Sequence, residues 1–364
     1  MNAMKKLLLT SLCLMSLQPA FAVTPASSLA RSARSNRLLA SRPGTDRYAR
    51  RCQGHAPERG LMPGATLLWG TKRAWSSEQR TDERQSVLVS VSAVPLRPAD
   101  GQPKAVWLER GRLVATPKAP GNLVGTVLQG ISSDGRPVDV AICGAEPSPE
   151  DPAMHWYRIE AWNPVAREWE NPCASTGTVP DPRALAVRGV WDSSGARHDV
   201  PGKLTLACES GAISQCIRWG YKPWAERAGK SLADLHQACT RMARADYCGN
   251  GRSHTQEHTL IDMYDGFGVQ SRTTESSAAW NTERASFEAA WAPDGAACLA
   301  RTRDGRALED VLQECPGRFH PGEAEMGGGD RCMVRRQGMH PDTVLLRNRS
   351  YAAGGHTGRS ISDE

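Results

Sequence analysis

The sequence predicts a β-rich α+β fold that is stabilised by disulfides, with many short hairpins and one central helix near residues 231–244. Short segments that alternate apolar and polar residues recur along the chain, and turns rich in Gly, Pro and Asp separate them. The best helical periodicity falls within 231–244. The chain has 11 cysteines, and the even number that would remain after export is typical of paired thiols.

The first 22 residues have the three parts of a secretory signal peptide. Lys5 and Lys6 form the charged start, residues 7–17 the apolar run, and Ala20-Phe21-Ala22 the small-residue cleavage site. We therefore expect cleavage between Ala22 and Val23 and a periplasmic or secreted protein. The apolar run is too short for a permanent membrane span, and no other run is long enough, so no transmembrane segment is expected in the mature protein.

Positive charge is concentrated at the start of the mature chain. The formal net charge is +6, and residues 23–60 hold eight Arg against two acidic residues. Because this segment has few apolar residues, it is predicted to be a basic flexible arm. An anionic surface of the cell envelope is a partner that would suit it, and the alternative is a solvated leader without a partner.

The rest of the chain is divided into three regions by composition. Residues 61–150 are predicted to be a β-rich N-terminal region, and residues 151–315 a disulfide-bonded domain. Residues 316–364 are predicted to be a C-terminal extension, with a frayed tail from Gly338 onward because no periodic core pattern occurs there.

All ten cysteines of the mature chain are expected to be paired, since Cys13 would be lost with the signal peptide. Their connectivity does not follow from the sequence. Cys239 and Cys248 could bond to each other, or each to a neighbouring strand. A cysteine zinc site is the alternative, and the lack of any C-x-x-C pair argues against it. The ten cysteines are Cys52, Cys143, Cys173, Cys208, Cys216, Cys239, Cys248, Cys298, Cys315 and Cys332.

The central helix has recognisable start and stop signals. Ser231 is a favourable N-cap, and Asp234 three residues later makes an approximate capping box. The helix is expected to end near Arg244, ahead of a tight turn at Gly249-Asn250-Gly251.

Local patterns also predict hairpins and one further helix. Residues 106–115, 124–143 and 286–303 each contain two strand-like segments around a turn with Gly. A short helix is expected at 308–315.

Several separated blocks resemble the ADYC domain family, in the order in which that family has them. The resemblance covers about 184–303 and implies an exported bacterial protein of unknown role, without catalytic residues to carry over. The blocks are Cys208 with Gly211-Ala212-Ile213, Cys216 with 219–224, the structural signature Ala245, Asp246, Tyr247 and Cys248, and 287–291 with 295–298.

Asp246 is expected to be structural, as an acceptor for N–H groups of the turn and a partner of Arg241 or Arg244. The alternative is a calcium site without EF-hand spacing. Its oxygen ligands would be Asp246, Asn250, Asp262 and Asp265.

Residues 254–258 match H-x-x-E-H, the inverted zinc-protease pattern. That chemistry needs both His on one helical face, beside a Glu that acts as base, and a third ligand such as Asp262 or Asp265. The preceding glycine turn and two Thr argue against a helix here, and relatives tend to have Gly in place of His258. We therefore assign no metal, and the candidate ligands are His254, Glu257 and His258.

Tryptophan is unusually frequent, with 11 Trp against four Phe. The large aromatic rings are expected to fill the core, and a sugar-binding platform is the alternative. The relevant residues are Trp156, Trp162, Trp169, Trp191, Trp219, Trp224 and Trp291.

Together these features predict a non-catalytic binding or interaction module at the cell envelope or outside the cell, without a cofactor and with an unknown partner. The sequence has no G-x-S-x-G elbow, phosphate-binding loop or dinucleotide fingerprint. The alternative is a zinc-dependent hydrolase that uses residues 254–258.

Overall fold

β-Strands dominate the described part of the chain, which confirms the predicted β-rich α+β class. The computed structural model describes residues 46–54, 67–72, 85–96, 103–116, 123–255, 259–340 and 344–351, all within one unit that spans Thr45–Glu364. The signal peptide and its cleavage site between Ala22 and Val23 lie outside these residues and stay predictions.

A closed antiparallel barrel occupies the first half of this unit. Six strands pair in the order β5-β4-β1-β11-β8-β6, and β6 pairs again with β5, which closes the ring. Strand β7 extends β6, and β2 and β3 form the predicted separate hairpin. The elements are α1 (Asp46–Ala49), β1 (Ser90–Pro95), β2 (Ala105–Glu109), β3 (Arg112–Thr116), β4 (Val127–Ile131), β5 (Pro137–Pro147), β6 (His155–Asn163), β7 (Glu168–Glu170), β8 (Ala184–Arg188), β9 (Val190–Trp191), β10 (Arg197–His198) and β11 (Lys203–Cys208).

Side-chain alternation along the barrel strands separates two cores. In β8, Ala184 and Ala186 point into the barrel core, whereas Leu185 and Val187 belong to a cluster on its outer face. This two-residue period is the expected geometry of a strand that is buried on both sides. The outer cluster is where the second half of the chain packs.

The second half places two helices between the barrel and a six-stranded antiparallel sheet. Strands of this sheet follow the order β14-β19-β15-β16-β18-β17. The elements are α2 (Ala212–Arg218), β12 (Glu226–Arg227), β13 (Lys230–Ser231), α3 (Ala233–Arg244), β14 (Ile261–Asp265), β15 (Ala285–Ala292), β16 (Gly295–Leu299), α4 (Leu308–Glu314), β17 (Phe319–Gly327), β18 (Asp330–Arg336) and β19 (Leu346–Tyr351).

Helix α2 contacts both neighbours. Its residues Ile213 and Ile217 pack in the cluster on the outer face of the barrel, and Ala212 and Cys216 pack in the cluster that contains α3. Helix α3 in turn packs against β15, β16 and β19. The sequence did not predict α2, which has seven residues, too few to show a clear helical period.

The predicted central helix is confirmed as α3, but it begins later than expected. Its N-cap is Leu232, and no side chain caps it, so the predicted capping box on Ser231 is wrong. Ser231 is held extended because β13 pairs with β12. Its hydroxyl still accepts the N–H of Ala233 at 3.2 Å. The helix ends at Arg244, as predicted, and its C-cap Ala245 has a left-handed φ of 50°.

The frayed tail predicted from Gly338 is wrong for 346–351, which form β19 between β14 and β15. Its polar side chains have buried partners: Arg349 Nη2 lies 2.6 Å from Asp262 Oδ2, and Asn348 Oδ1 accepts the Trp291 indole N–H at 2.8 Å. The sheets also continue across positions 150 and 315, so neither predicted boundary is the end of a sheet.

The basic arm is not flexible over 46–54. Helix α1 lies there, the backbone oxygen of Arg47 accepts the indole N–H of Trp169 at 2.7 Å, and Cys52 bonds to Cys143. The Arg47 side chain also pairs with Asp139 at 2.5 Å. Residues 23–45 and 55–60 lie outside the described residues.

All ten cysteines of the mature chain are paired, as predicted. Cys239 and Cys248 do not bond to each other or to strands: Cys239 joins α3 to α2, and Cys248 bonds to the residue that follows α4. These ten cysteines are therefore not free to bind zinc. The pairs are Cys52–Cys143, Cys173–Cys208, Cys216–Cys239, Cys248–Cys315 and Cys298–Cys332.

Candidate functional site

Residues 245–251, together with Arg241, Glu288 and Arg303, form a corner at the end of α3, which we call the signature corner. Asp246 is fully buried, and its carboxylate accepts the N–H groups of Asn250 at 3.1 Å and Gly251 at 3.0 Å. Arg241 Nη1 lies 2.5 Å from Asp246 Oδ2. The partners predicted for Asp246 are thus confirmed, and the carboxylate fixes the turn to the helix.

Tyr247 connects this corner to the six-stranded sheet. Its ring stacks on His254 and on Trp291, with centroid distances of 5.8 and 5.5 Å. Its hydroxyl accepts the backbone N–H of Arg303 at 2.7 Å and lies 3.3 Å from Glu288 Oε1. Burial, reinforced by the charge of Glu288, raises the pKa of Tyr247 well above its usual value. The phenol therefore stays neutral.

A buried ion pair completes the corner. Arg303 Nη2 lies 2.9 Å from Glu288 Oε1, and both side chains are almost completely buried. The same guanidinium donates to the backbone oxygens of Met242 at 2.8 Å and Ala243 at 3.1 Å, which lie in the last turn of α3. These contacts satisfy helix carbonyls that otherwise lack partners. The signature corner is a structural assembly of paired charges.

His254 is part of this assembly and not of a zinc helix. Residues 252–255 are not helical, and the His254 ring, which is 7% exposed, donates through Nε2 to Glu314 Oε1 at 3.1 Å. Burial lowers the pKa of His254. Glu257 and His258 lie outside the described residues, so a zinc site that includes them stays a hypothesis.

The carboxylates considered for calcium accept hydrogen bonds from different donors. Asp262 accepts from the Thr273 hydroxyl at 2.6 Å and pairs with Arg349. Among the described residues, Cys52, Cys143 and Glu160 form a cluster of potential metal ligands. Its two cysteines are joined in a disulfide. Asp246, Asp262 and Asp265 are therefore each contacted by protein donors.

A groove of about 390 Å³ lies at the C-terminal end of α2. This volume lies within the usual range for small-ligand sites. We call it the Trp219 groove. Residues that line it include Arg218, Trp219, Lys222, Arg227, Leu232, Val269 and Gln270.

One wall of the Trp219 groove is a loop wrapped around Asp265. The Asp265 carboxylate accepts the N–H groups of Phe267 at 2.7 Å and Gln270 at 2.8 Å, and the hydroxyl of buried Tyr221 at 3.1 Å. Gln270 Nε2 then donates to the backbone oxygen of Trp219 at 2.7 Å. The loop over 265–270 is therefore fixed to the residues that follow α2.

Gly220 allows the chain to turn beneath this wall. Its φ is 97°, which favours glycine, and a Cβ there would lie 3.0 Å from a methyl group of Val269. The opposite wall is the β12–β13 hairpin, from which Arg227 Nη2 donates to the backbone oxygen of Gly268 at 3.0 Å. Both walls are thus joined across the groove.

The lining combines an apolar surface with cationic side chains. Trp219 and Val269 are half-buried and Leu232 is buried, which gives an apolar floor. Arg218, Lys222 and Arg227 supply cationic donors. Among the described residues that line the groove none is Ser, Thr, Cys or His, and Glu226 is its acidic side chain.

The tryptophans divide between core and surface. Trp156, Trp169, Trp191 and Trp291 are fully buried, which confirms the predicted core role for these four. Trp162, Trp219 and Trp224 are half-buried. Of the seven, Trp219 lines the groove.

Comparison with known proteins identifies one family. The family model described as the ADYC domain matches residues 120–305. The match begins before β4, earlier than the blocks recognised in the sequence, and it includes both the signature corner and the Trp219 groove. Searches of curated proteins and of solved structures found no match.

Proposed function

The chain belongs to the ADYC domain family, and we propose that it is an exported binding module whose ligand occupies the Trp219 groove. The observation that carries this proposal is that one family-like block is buried and another lines an open groove. The signature block is buried and its charges are paired, whereas the block at 219–224 contributes Trp219, Gly220 and Lys222 to an open groove. Aromatic and charged side chains that are partly exposed, and so add little to the core, are typical of a recognition surface.

Export is the second part of the proposal. Five disulfides join the ten cysteines, and such density is typical of oxidising compartments such as the periplasm or the cell exterior. No helix within the described residues is long and apolar enough to cross a membrane. Contact between the basic arm and an anionic envelope surface stays a separate hypothesis, because most of the arm lies outside the described residues.

A ligand screen with a groove-filling variant tests the proposal. Saturation-transfer NMR would be used to screen the mature protein against a panel of small acids, peptides and oligosaccharides. Val269→Trp would fill the groove, and Val165→Trp is the matched control, since Val165 is 73% exposed in the β6–β7 turn.

Ligands of the groove should lose their signal with Val269→Trp and keep it with Val165→Trp, provided that both variants unfold in urea near the wild-type midpoint. If no member of the panel binds, or if every hit binds Val269→Trp as well as the wild type, the groove is not the binding site.

A further inference from the structure

We infer that the Trp219 groove recognises an anionic saccharide unit, one that carries a carboxylate or a phosphate group. This inference rests on the proposed function, because it names the ligand class of the same groove. Three features of the groove support this inference. Cations lie at its rim, its floor is aromatic and aliphatic, and the nearby Asp265 carboxylate already accepts hydrogen bonds from its own loop and from Tyr221.

Arg227 gives the rim a positive charge without an acidic partner among the described residues. Its Nη2 donates to the neutral backbone oxygen of Gly268 at 3.0 Å. That bond fixes the position of the guanidinium but leaves its charge and other N–H donors available. Lys230, its pairing partner in the β12–β13 hairpin, lies with Nζ 5.8 Å from the centre of the Phe267 ring. A fixed, unneutralised guanidinium suits a carboxylate or phosphate.

Two further cations lie at the rim, one in an exposed pair and one in a partly buried pair. Arg218 is 3.4 Å from Glu150, with both side chains more than a third exposed, and such a pair contributes little to stability. Exchange of Glu150 for a ligand anion therefore costs little. Lys222 lies 2.6 Å from Asp151 in the partly buried pair, which fixes the position of this cation at the rim.

The acidic groups nearby do not cancel this preference. Asp265 lies beside the groove, but its carboxylate accepts hydrogen bonds from the backbone of its own loop and from Tyr221. Glu226 is the acidic residue of the lining, and it is exposed on the first strand of the hairpin. The lining itself has three cations, Arg218, Lys222 and Arg227, against this one acid.

The floor explains why a saccharide fits better than a bare anion. Trp219, Leu232 and Val269 provide an apolar surface, and Gln270 and Lys222 provide polar atoms at its edge. Sugar rings have an apolar face bounded by hydroxyl groups, and they commonly pack on an aromatic ring with polar side chains around it. No acceptor within the described residues takes the indole N–H of Trp219, which leaves it available to a ligand oxygen.

Isothermal titration with matched probes tests this inference. The probes are tetragalacturonate, which carries carboxylates, mannose 6-phosphate, which carries a phosphate, and the neutral maltotetraose and mannose. Wild type, Arg227→Ala, Trp219→Ala and Val269→Trp would be compared. Arg188→Ala is the matched control for the loss of an exposed arginine outside the groove.

At least one anionic probe should bind at least about tenfold more tightly than its neutral counterpart, and Arg227→Ala should weaken it by about tenfold, as expected for the loss of a charge-assisted contact. Trp219→Ala and Val269→Trp should also weaken it, Arg188→Ala should not, and added salt should reduce the affinity. The stronger of the two anionic probes identifies the acidic group.

Three outcomes would overturn the inference. Equal binding of neutral and anionic probes would leave a groove without charge selectivity. Anionic binding that survives Val269→Trp would place the anion elsewhere, for example on the basic arm. If no saccharide binds while other panel ligands are blocked by Val269→Trp, the ligand class is wrong and the binding function of the groove still stands.

Discussion

The signature corner and the Trp219 groove lie at opposite ends of α3, yet their polar groups are used in different ways. In the corner, Asp246 and Glu288 are fully buried and each pairs with an arginine. In the groove, Arg227 is exposed and pairs with a carbonyl. Residues of one family-like block are thus buried and stabilise the fold, whereas those of the other are partly exposed, which fits the recognition role that we propose for the groove.

Breaking the buried ion pair of the corner should have the largest effect. Glu288→Ala would leave Arg303 charged and without its carboxylate partner in the core, a change that typically costs about 3–5 kcal/mol. Urea unfolding with the disulfides intact would measure it. Arg331→Ala is the control, because Arg331 pairs with Glu323 and Glu325 on the surface and should cost at most about 1 kcal/mol. Equal losses for the two variants would contradict the comparison.

Acid should destabilise the α2–α3 region through His236. Nε2 of this fully buried side chain donates to the backbone oxygen of Ile213 at 3.1 Å. Burial lowers the pKa of His236 to about 4. The unfolded chain binds a proton below about pH 6.5 and the folded chain does not until about pH 4. The contribution of neutral His236 to the free energy of unfolding is therefore fully present above pH 6.5. It falls by about 3 kcal/mol as the pH drops to 4.

Comparing the pH profiles of wild type and His236→Gln isolates this contribution, because acidic residues elsewhere titrate in both proteins. The free energy of unfolding of the wild type should fall more steeply between pH 6.5 and 4 than that of the variant. Parallel profiles would show that His236 is not buried in its neutral form.

Removing the acceptor of the signature turn should cost stability for two reasons. Asp246→Ala leaves the N–H groups of Asn250 and Gly251 without an acceptor, which costs about 1–3 kcal/mol, and it leaves buried Arg241 without its carboxylate partner, so the total loss should approach that of Glu288→Ala. Asp246→Asn should lower it less, because one acceptor oxygen remains. Urea unfolding of both variants gives the order. If Asp246→Ala has the stability of the wild type, the signature is not structural and a functional role is favoured instead.

Substitutions in the groove should have the smallest effect on stability. Arg227→Ala removes an exposed side chain with one hydrogen bond to a carbonyl, so the free energy of unfolding should change by no more than about 0.5 kcal/mol. Thermal and urea unfolding would both be measured. A loss as large as that of Asp246→Ala would make the groove another structural assembly.

Local features of the fold could be predicted from sequence, whereas long-range pairing could not. The turn at 249–251 and the partners of Asp246 are within a few residues of one another, so residue types alone indicated them. Closure of the barrel depends on the pairing of β5 with β6, and β19 depends on partners such as Asp262, 87 residues from Arg349. A polar strand has no apolar period to reveal that it is buried.

The groove shows the same limit. Trp219 and Lys222 fall in a recognised block, but one wall of the groove comes from the loop over 265–270, which the Asp265 carboxylate holds in place. In the sequence this acid was considered only as a metal ligand. Its role in the groove becomes visible once Tyr221 and the loop are brought together in three dimensions.

Titration of one anionic tetrasaccharide into two variants, Asp246→Asn and Val269→Trp, tests the division of roles most directly. Asp246→Asn should lose stability in urea but bind tetragalacturonate with wild-type affinity under native conditions. Val269→Trp should unfold in urea near the wild-type midpoint and lose binding by about tenfold or more, because the groove is filled. If Val269→Trp binds as the wild type does while Asp246→Asn does not, recognition belongs to the signature corner and the division between the two regions is wrong.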